Sequence, residues 1–199
     1  MRRVLVYCVA IVAGCALGLG SALWMAGLWP SGRSMAFGDV DVGGWQSDFA
    51  IGSKAADPYT RARVARHGLL ALAKTEAVYF TRNVDDMGQP LREACTYRIS
   101  GGEMPAAWWS VTLYDAASRL PANTDGALSL DAERAGKGAW TAVISPTRPD
   151  GAEPWISSRG ANRFDLTLRL YLPGARLLSA PNDVLAPPRI ARLTCESGA

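Results

Sequence analysis

The longest apolar run of the chain lies at its N-terminus. Residues 4–29 read VLVYCVAIVAGCALGLGSALWMAGLW, twenty-six residues without a charge. A helix of that length spans roughly 39 Å, more than the ~30 Å hydrocarbon core of a bilayer. Because Arg2 and Arg3 precede the run, the positive-inside rule keeps the N-terminus in the cytoplasm. The pattern predicts a single transmembrane helix over residues 1–30 and export of the rest of the chain.

Two other interpretations of this segment remain open. A cleaved signal peptide has an apolar core of only about 7–15 residues, although Gly20-Ser21-Ala22 would suit a signal peptidase. Val12-Ala13-Gly14-Cys15 resembles a lipobox, but the chain stays apolar after Cys15, where a lipoprotein turns polar. All three interpretations export the remaining chain. The length of the run favours an uncleaved anchor in the cytoplasmic membrane, with the C-terminal domain in the periplasm.

Small residues recur at every fourth position of the anchor. The stripe consists of Ala10, Gly14, Gly18, Ala22 and Ala26. Such stripes let two membrane helices approach closely, although Ala and Gly are also common in membrane helices for no such reason. The stripe therefore indicates a candidate homodimer, with the membrane itself as the other expected partner.

A tether and one helix are expected next. Residues 31–56 carry Gly, Ser and Asp with short apolar pieces, which predicts a tether that leads into one short strand around Val40–Phe49. Asp57 as N-cap and Pro58 at the first helical position then predict a helix over 58–74. Helical spacing places one set of residues on a common face: Ala62, Ala65, Leu69, Leu72, Ala73 and Glu76.

After residue 75 the hydrophobic pattern alternates as β-strands do. In Phe164–Tyr171, the residues Phe, Leu, Leu and Leu alternate with Asp, Thr, Arg and Tyr. The predicted strands are Glu76–Val84, Leu91–Ser100, Trp108–Asp115, Ala139–Ser145, Phe164–Tyr171 and Ile190–Cys195. One helix before about seven antiparallel strands predicts a mainly β domain over 57–197, a β-sandwich or jelly-roll with one flanking helix.

Cysteine placement predicts one disulfide bond. Cys8 and Cys15 lie within the membrane run, whereas Cys95 and Cys195 lie outside it, each on the apolar face of a predicted strand. Exporting compartments oxidise accessible thiol pairs, so we expect a Cys95–Cys195 bond. The alternative is two free buried thiols.

Composition excludes several classes of function. His67 is the only histidine, and it falls on the solvated face of the predicted helix, so a His-rich metal cage is excluded. The net charge of +3 falls to +1 without Arg2 and Arg3, which leaves no basic footprint for nucleic acid. No Gly-rich loop joins a strand to a helix, and the acidic pairs lack the ligand count of a calcium loop. We therefore expect no cofactor and no metal site.

Carboxylates and aromatic rings remain as candidate chemistry. An acid pair for glycoside cleavage can be assembled from Glu103, Asp115, Asp125, Asp131 and Glu133, but their spacing selects no pair, so catalytic residues stay unassigned. Trp108 and Tyr114 share one strand face, and Tyr171 shares the polar face of its strand with Arg169. Aromatic rings beside an arginine can stack on sugars or other flat ligands, although more often they pack under a covering helix.

The order of these segments resembles a bacterial family. The matching strings are DPYTRARVARHGLLALAKTEAVYF, then D-x-x-G-Q-P-L at Asp85–Leu91, WWSVTLYD at Trp108–Asp115 and FDLTLRLY at Phe164–Tyr171. They are similar to the domain of unknown function numbered 1214, over about residues 45–195. In larger members this domain follows a second one, numbered 1254; here a membrane helix takes its place. The resemblance implies a jelly-roll-like fold and association with the cell envelope, and it transfers no catalytic residues.

Together these patterns predict an exported, membrane-anchored cell-envelope domain that binds or assembles without catalysis of its own. The alternative is an envelope enzyme that acts on glycans through an acid pair, because jelly-rolls host both roles.

Overall fold

Ten strands form two sheets in the computed structural model, which describes residues 2–26, 40–54, 56–66 and 72–196. The helices are α1 (Arg2–Met25), α2 (Pro58–Arg66), α3 (Ala132–Ala135), α4 (Ala175–Ser179) and α5 (Pro181–Val184). The strands are β1 (Val40–Val42), β2 (Trp45–Ser47), β3 (Ala77–Arg82), β4 (Cys95–Gly101), β5 (Ala106–Asp115), β6 (Ser129–Asp131), β7 (Trp140–Ser145), β8 (Trp155–Ser157), β9 (Phe164–Pro173) and β10 (Arg189–Cys195). The mainly β class that the sequence predicts is confirmed.

The two sheets differ in strand direction. The larger has the order β1-β2-β3-β9-β5-β6, and every neighbouring pair in it is antiparallel. The smaller has the order β10-β4-β7-β8, and its last pair, β7 and β8, runs parallel. This described pair departs from the antiparallel arrangement of the other strands, because the connection over 146–154 carries the chain back along β7 to a point opposite Val143.

The hydrophobic core lies between the sheets, and β9 is its centre. Leu166, Leu168 and Leu170 are fully buried, as the alternation predicts. Burying each of these side chains contributes about 1.5–3 kcal/mol. Trp109 of β5 stacks on Trp140 of β7 at 4.7 Å between ring centres, and this contact joins the two sheets. Phe164 is also part of the core, and the alternate residues Asp165, Thr167, Arg169 and Tyr171 face outward from the larger sheet.

Residues that the sequence assigns to the tether belong to the fold. Instead of one strand over Val40–Phe49, β1 and β2 form an antiparallel hairpin at the edge of the larger sheet. Gly43 and Gly44 turn the chain with φ of 60° and 83°, which glycine adopts without strain. Trp45 is fully buried, and its Nε1 donates a hydrogen bond to the carbonyl of Pro188 at 2.8 Å. Residues 40–47 are therefore part of the larger sheet.

The structure corrects the predicted length and inward face of α2. Residues 74–76 form a turn before β3, so the helix does not reach Lys74. Thr60 and Val64 are buried, whereas Ala62 and Ala65 are exposed. The helix cap Asp57 explains why the polar residue Thr60 is buried. The Asp57 carboxylate accepts a hydrogen bond of 2.6 Å from the Thr60 hydroxyl. The predicted face members Leu72, Ala73 and Glu76 lie outside the helix, and Leu69 and His67 lie outside the described residues.

The N-terminal helix α1 is exposed over most of its 24 residues. It is the one helix in the described part of the chain that is long and apolar enough to cross a membrane, although a signal sequence would have the same properties. Gly14 and Gly18 have open space around them, and only one chain is present. The homodimer through this stripe stays a prediction.

Two sets of bonds hold the terminal strand β10 in place. Asp85, which is almost fully buried, forms an ion pair with Arg192 at 2.7 Å. Asp86 accepts a hydrogen bond from the backbone of Ile190 at 3.1 Å. Cys95 and Cys195 face each other in the β4–β10 register, and a disulfide joins them with their Cα atoms 4.0 Å apart. The disulfide therefore closes a loop of 100 residues.

We expect Cys195→Ser to destabilise the folded domain. A loop of 100 residues contributes roughly 4–5 kcal/mol in the chain-entropy model. Cys195 is exposed, so the substitution leaves no cavity that could account for the loss. Thermal unfolding of the full chain in detergent measures it. Reductant should lower the melting temperature of the wild type and of a Cys8→Ser/Cys15→Ser control, but not that of Cys195→Ser. Equal melting temperatures with and without reductant in the wild type would contradict the disulfide.

Candidate functional site

The outward side of the larger sheet carries a polar and aromatic surface, which we name the Arg169 face. Its members come from the three central strands β3, β5 and β9: Tyr79, Thr81, Trp108, Ser110, Thr112, Tyr114, Asp165, Thr167, Arg169 and Tyr171. Period-two alternation places all of them opposite the core. The register sets Arg169 between Tyr79 of β3 and Ser110 of β5.

Arg169 lies on the middle strand of this face and is half-buried. Its Nη1 donates to the Thr112 hydroxyl at 2.8 Å, and its Nη2 donates to the Tyr114 hydroxyl. The guanidinium carbon lies 5.4 Å from the centre of the Tyr114 ring. Among the described residues no carboxylate forms an ion pair with Arg169. The two neutral hydrogen bonds therefore fix the orientation of a cation whose charge is not balanced, and such a cation attracts anions.

Aromatic rings flank the arginine. Trp108 and Tyr171 are half-buried, and their ring centres lie 5.3 Å apart at an angle of 60°. Tyr79 is buried. Burial and the neighbouring Tyr171 raise the pKa of Tyr79, whereas Arg169 acts to lower it. Tyr79 is therefore a neutral phenol at physiological pH.

The floor of the Arg169 face is made of hydroxyl groups. Ser110, Thr112 and Thr167 are buried beneath their larger neighbours. The hydroxyls of Thr81 and Thr167 lie 3.3 Å apart and form a hydrogen bond. A sheet face that only packs under a covering helix is normally apolar, so this floor indicates contact with a polar ligand.

Asp165 is the carboxyl group of the Arg169 face. It lies opposite Tyr114 in the register, and within the described part of the chain no hydrogen bond or ion pair reaches its side chain. Desolvation by burial, and to a smaller extent the nearby Asp115, raise its pKa to about 7. Alternation along β9 places Asp165 on the polar face of its strand, but its sequence context does not mark it as a candidate acid. The alternation of β9 was the available signal, and the desolvation that singles it out depends on the fold.

Three of the acids proposed from the sequence serve local structure. Asp115 accepts hydrogen bonds from the backbones of Ala117 and Arg119 in a turn. Asp131 caps α3 and forms an ion pair with Arg134 at 3.1 Å.

Asp125 binds the Ser157 hydroxyl and the Arg159 guanidinium, and these hydrogen bonds hold its pKa below the usual value. The other two acids, Glu103 and Glu133, are exposed. No contact between described residues joins two of these five carboxyls, and the described residues contain no metal-binding cluster of three or more His, Cys, Asp or Glu side chains.

A concave region lies beside the disulfide, apart from the Arg169 face. It is an open cavity of about 680 Å³ whose lining includes Arg92, Glu93, Arg159 and Arg163. Its charges are partly neutralised, because Asp125 holds Arg159 and the backbones of residues 160 and 162 donate to Glu93. No aromatic ring lines it. The Arg169 face is therefore the stronger candidate site.

Asp165 should make the stability of the fold depend on pH. Its folded pKa of about 7 exceeds the ordinary value of 3.8, so the folded state binds the proton more tightly than the unfolded chain. Stability is therefore greatest below about pH 4 for this group and falls as the pH rises through 7, by at most about 4 kcal/mol. We expect Asp165→Asn to remove this fall.

Chemical denaturation at pH 5 and pH 8 measures the effect. Asp165→Asn should be more stable than the wild type at pH 8, and the difference should shrink at pH 5. Asp150→Asn, which changes an exposed carboxyl in a loop, is the control. A wild type and an Asp165→Asn variant with the same pH profile would show that Asp165 titrates as an ordinary carboxyl.

Comparisons with known proteins agree with this fold. The crystal structure of the VPA0106 protein from Vibrio parahaemolyticus superposes with a TM-score of 0.55 at 22% identity, covering 70% of this chain and 36% of that one. A crystal structure of an uncharacterized protein from Burkholderia cenocepacia gives a TM-score of 0.40 at 21% identity, covering 62% and 31%. The chain thus spans about a third of the length of these two solved proteins. The likeness to the Vibrio protein supports the fold alone.

The sequence comparison gives the family. No curated protein matches the chain significantly. The model of the family described as "Protein of unknown function (DUF1214)" matches residues 76–175, a range that contains every member of the Arg169 face. Because this match covers half of the chain, the protein belongs to the DUF1214 family of proteins of unknown function.

Proposed function

We propose that this protein is a membrane-anchored cell-envelope module without catalysis of its own, and that the Arg169 face binds an anionic ligand. The observation that carries the proposal is the state of Arg169, which neutral hydroxyls orient and no described carboxylate neutralises. A structural arginine at a half-buried position normally has an acidic partner, because burying an unpaired charge is costly. A ligand anion would supply that partner.

The Arg169 guanidinium has N–H donors that its bonds to Thr112 and Tyr114 do not use. Arg169 uses two of its N–H groups for Thr112 and Tyr114, out of the five that an arginine carries. The remaining donors form a planar fork, which matches the two oxygens of a carboxylate. Charge-assisted bonds of this kind are about twice as strong as bonds between neutral groups. The hydrogen bonds to the two hydroxyls therefore orient the guanidinium and leave its remaining N–H donors for a ligand carboxylate.

Two features support export to the envelope. The helix α1 is apolar enough to span a bilayer, and Arg2 and Arg3 favour a cytoplasmic N-terminus. The Cys95–Cys195 disulfide fits an oxidising compartment outside the cytoplasm. Together they support a single-pass protein of the cytoplasmic membrane whose folded domain lies in the periplasm.

Asp165 favours a second candidate, an envelope enzyme that uses acid–base chemistry on glycans. A carboxyl with a pKa of about 7 can both give and take a proton at neutral pH. Its partner would be Asp115, whose carboxylate is held in a turn. Loss of a hydrolytic activity in Asp165→Asn, with ligand binding retained, would establish this alternative.

Replacing Arg169 should weaken the binding of a carboxylate ligand. Benzoate, which joins a carboxylate to a ring, is a suitable probe, and quenching of tryptophan fluorescence in the full chain in detergent reports its binding. Loss of a charge-assisted bond of 1.5–3 kcal/mol should weaken binding by about tenfold or more in Arg169→Gln. Arg148→Gln, an exposed loop substitution, should bind like the wild type. Equal affinities of Arg169→Gln and Arg148→Gln would contradict the proposed site.

The topology of the chain is tested separately. A fusion of alkaline phosphatase after Ala199 should be active, because the enzyme folds only after export. Protein purified from membranes should still begin near Met1 if α1 is an uncleaved anchor. A soluble species that begins near Leu23 would replace the anchor with a cleaved signal peptide, and an inactive fusion would contradict export.

A further inference from the structure

The charge balance of the Arg169 face limits the charge of its ligand. Among the outward residues of β3, β5 and β9, Arg169 is the one cation and Asp165 is the one carboxyl. A polyphosphate or a nucleic acid needs several cations, and the carboxyl would repel it further. The face therefore suits a ligand that carries one negative charge among larger neutral parts.

The polarity of the Arg169 face excludes a purely apolar ligand. Its floor of Ser110, Thr112 and Thr167 is hydroxylic, and the Tyr114 hydroxyl accepts from Arg169, which leaves its own hydrogen to donate. An acyl chain would offer no partner to the Ser110 hydroxyl or to the hydrogen of the Tyr114 hydroxyl. A ligand with many hydroxyl groups would satisfy them.

The aromatic rings lie next to the cation. Trp108 and Tyr171 are both only half-buried, and Tyr171 follows Arg169 by two positions on the same side of β9. Tryptophan and tyrosine rings combine a large apolar surface with a polar tip, which suits rings that have C–H groups on their faces and hydroxyls at their edges. Sugar rings have this character.

The shape of the Arg169 face is that of a row. From Asp165 to Tyr171 the outward positions of β9 extend over roughly 20 Å at the usual rise per residue. Arg169 lies near one end beside the rings, and Asp165 lies at the other end among hydroxyls. An extended ligand of several linked rings would contact the whole row.

We infer that the ligand of the Arg169 face is an acidic saccharide, in which neutral sugar rings are linked to one ring that carries a carboxylate. A carboxylate of the saccharide binds the Arg169 fork, one ring stacks on Trp108 and Tyr171, and sugar hydroxyls bond to Tyr114 and Asp165. This inference rests on the proposed function and names the class of its ligand.

The experiment compares two ligands that differ in charge. An acidic tetrasaccharide with one uronic acid ring and three neutral sugar rings carries a single carboxylate, and its methyl ester keeps the rings and hydroxyls but loses the charge. Calorimetry with the full chain in detergent should show that the affinity for the acid exceeds the affinity for the ester by about tenfold or more. In Arg169→Gln, acid and ester should bind almost equally. Arg148→Gln should retain the wild-type preference.

Trp108 supplies the test of stacking. Trp108→Ala should weaken both the acid and the ester by about tenfold, and Trp108→Phe, which keeps a ring, should weaken them much less. The melting temperature of each variant shows whether it is folded. If Trp108→Ala does not fold, Tyr171→Ala provides the test of stacking instead. Loss of the Tyr171 ring must weaken the binding of both ligands, and Trp108→Phe, which keeps a ring, is the comparison.

The outcomes separate the two proposals. If benzoate binding depends on Arg169 but the acidic tetrasaccharide binds no more tightly than its ester, the saccharide inference is overturned and the anion site stands. If the acidic tetrasaccharide binds but neither Arg169 nor Trp108 affects it, the saccharide binds elsewhere and the inference is also overturned. If no carboxylate binding depends on Arg169, the proposed function fails as well.

Discussion

The register of β9 between β3 and β5 is the constraint on which the rest of the structure depends. β9 is paired along its length on both sides, and its alternate residues Leu166, Leu168 and Leu170 are fully buried. A slip by one residue would expose these leucines and bury Arg169 in the core. The burial of three leucines and the cost of burying a guanidinium both oppose that slip. The hydrophobic core and the Arg169 face are thus two sides of one strand.

The strands with the strongest alternation could be predicted from the sequence, and shorter elements could not. β5 and β9 each contain about four repeats of the period-two pattern, whereas β1, β2 and β8 have three residues each and show none. Because the two short strands of the hairpin over 40–47 show no alternation, this segment is assigned to the tether by its composition. The end of α2 was missed because the apolar spacing continues through Leu72, although the Glu76 side chain binds the backbone of Ala73 in a turn before β3. The parallel direction of β8 depends on the path of a loop, which no local pattern encodes.

Part of the candidate site could be predicted from the sequence. Alternation alone placed Trp108 with Tyr114 and Tyr171 with Arg169, each pair on its own strand. Their union into one face, and the position of Tyr79 beside Arg169, depend on pairing between strands that are far apart in sequence. The raised pKa of Asp165 also has no local signal, because it follows from desolvation in the folded sheet. Three of the five acids chosen by their type alone, Asp115, Asp125 and Asp131, bind nearby backbone groups, a hydroxyl or an arginine instead. The other two, Glu103 and Glu133, are exposed.

The central claim is that Arg169, which no described carboxylate neutralises, binds an anionic ligand. NMR of the arginine Nε–Hε groups during a titration with benzoate tests it most directly, because it reports each guanidinium separately. The account predicts that the Arg169 signal shifts and saturates, together with the indole signal of Trp108. Shifts confined to Arg92 and Arg163, with Arg169 unchanged, would contradict it and would move the anion site to the cavity beside the disulfide.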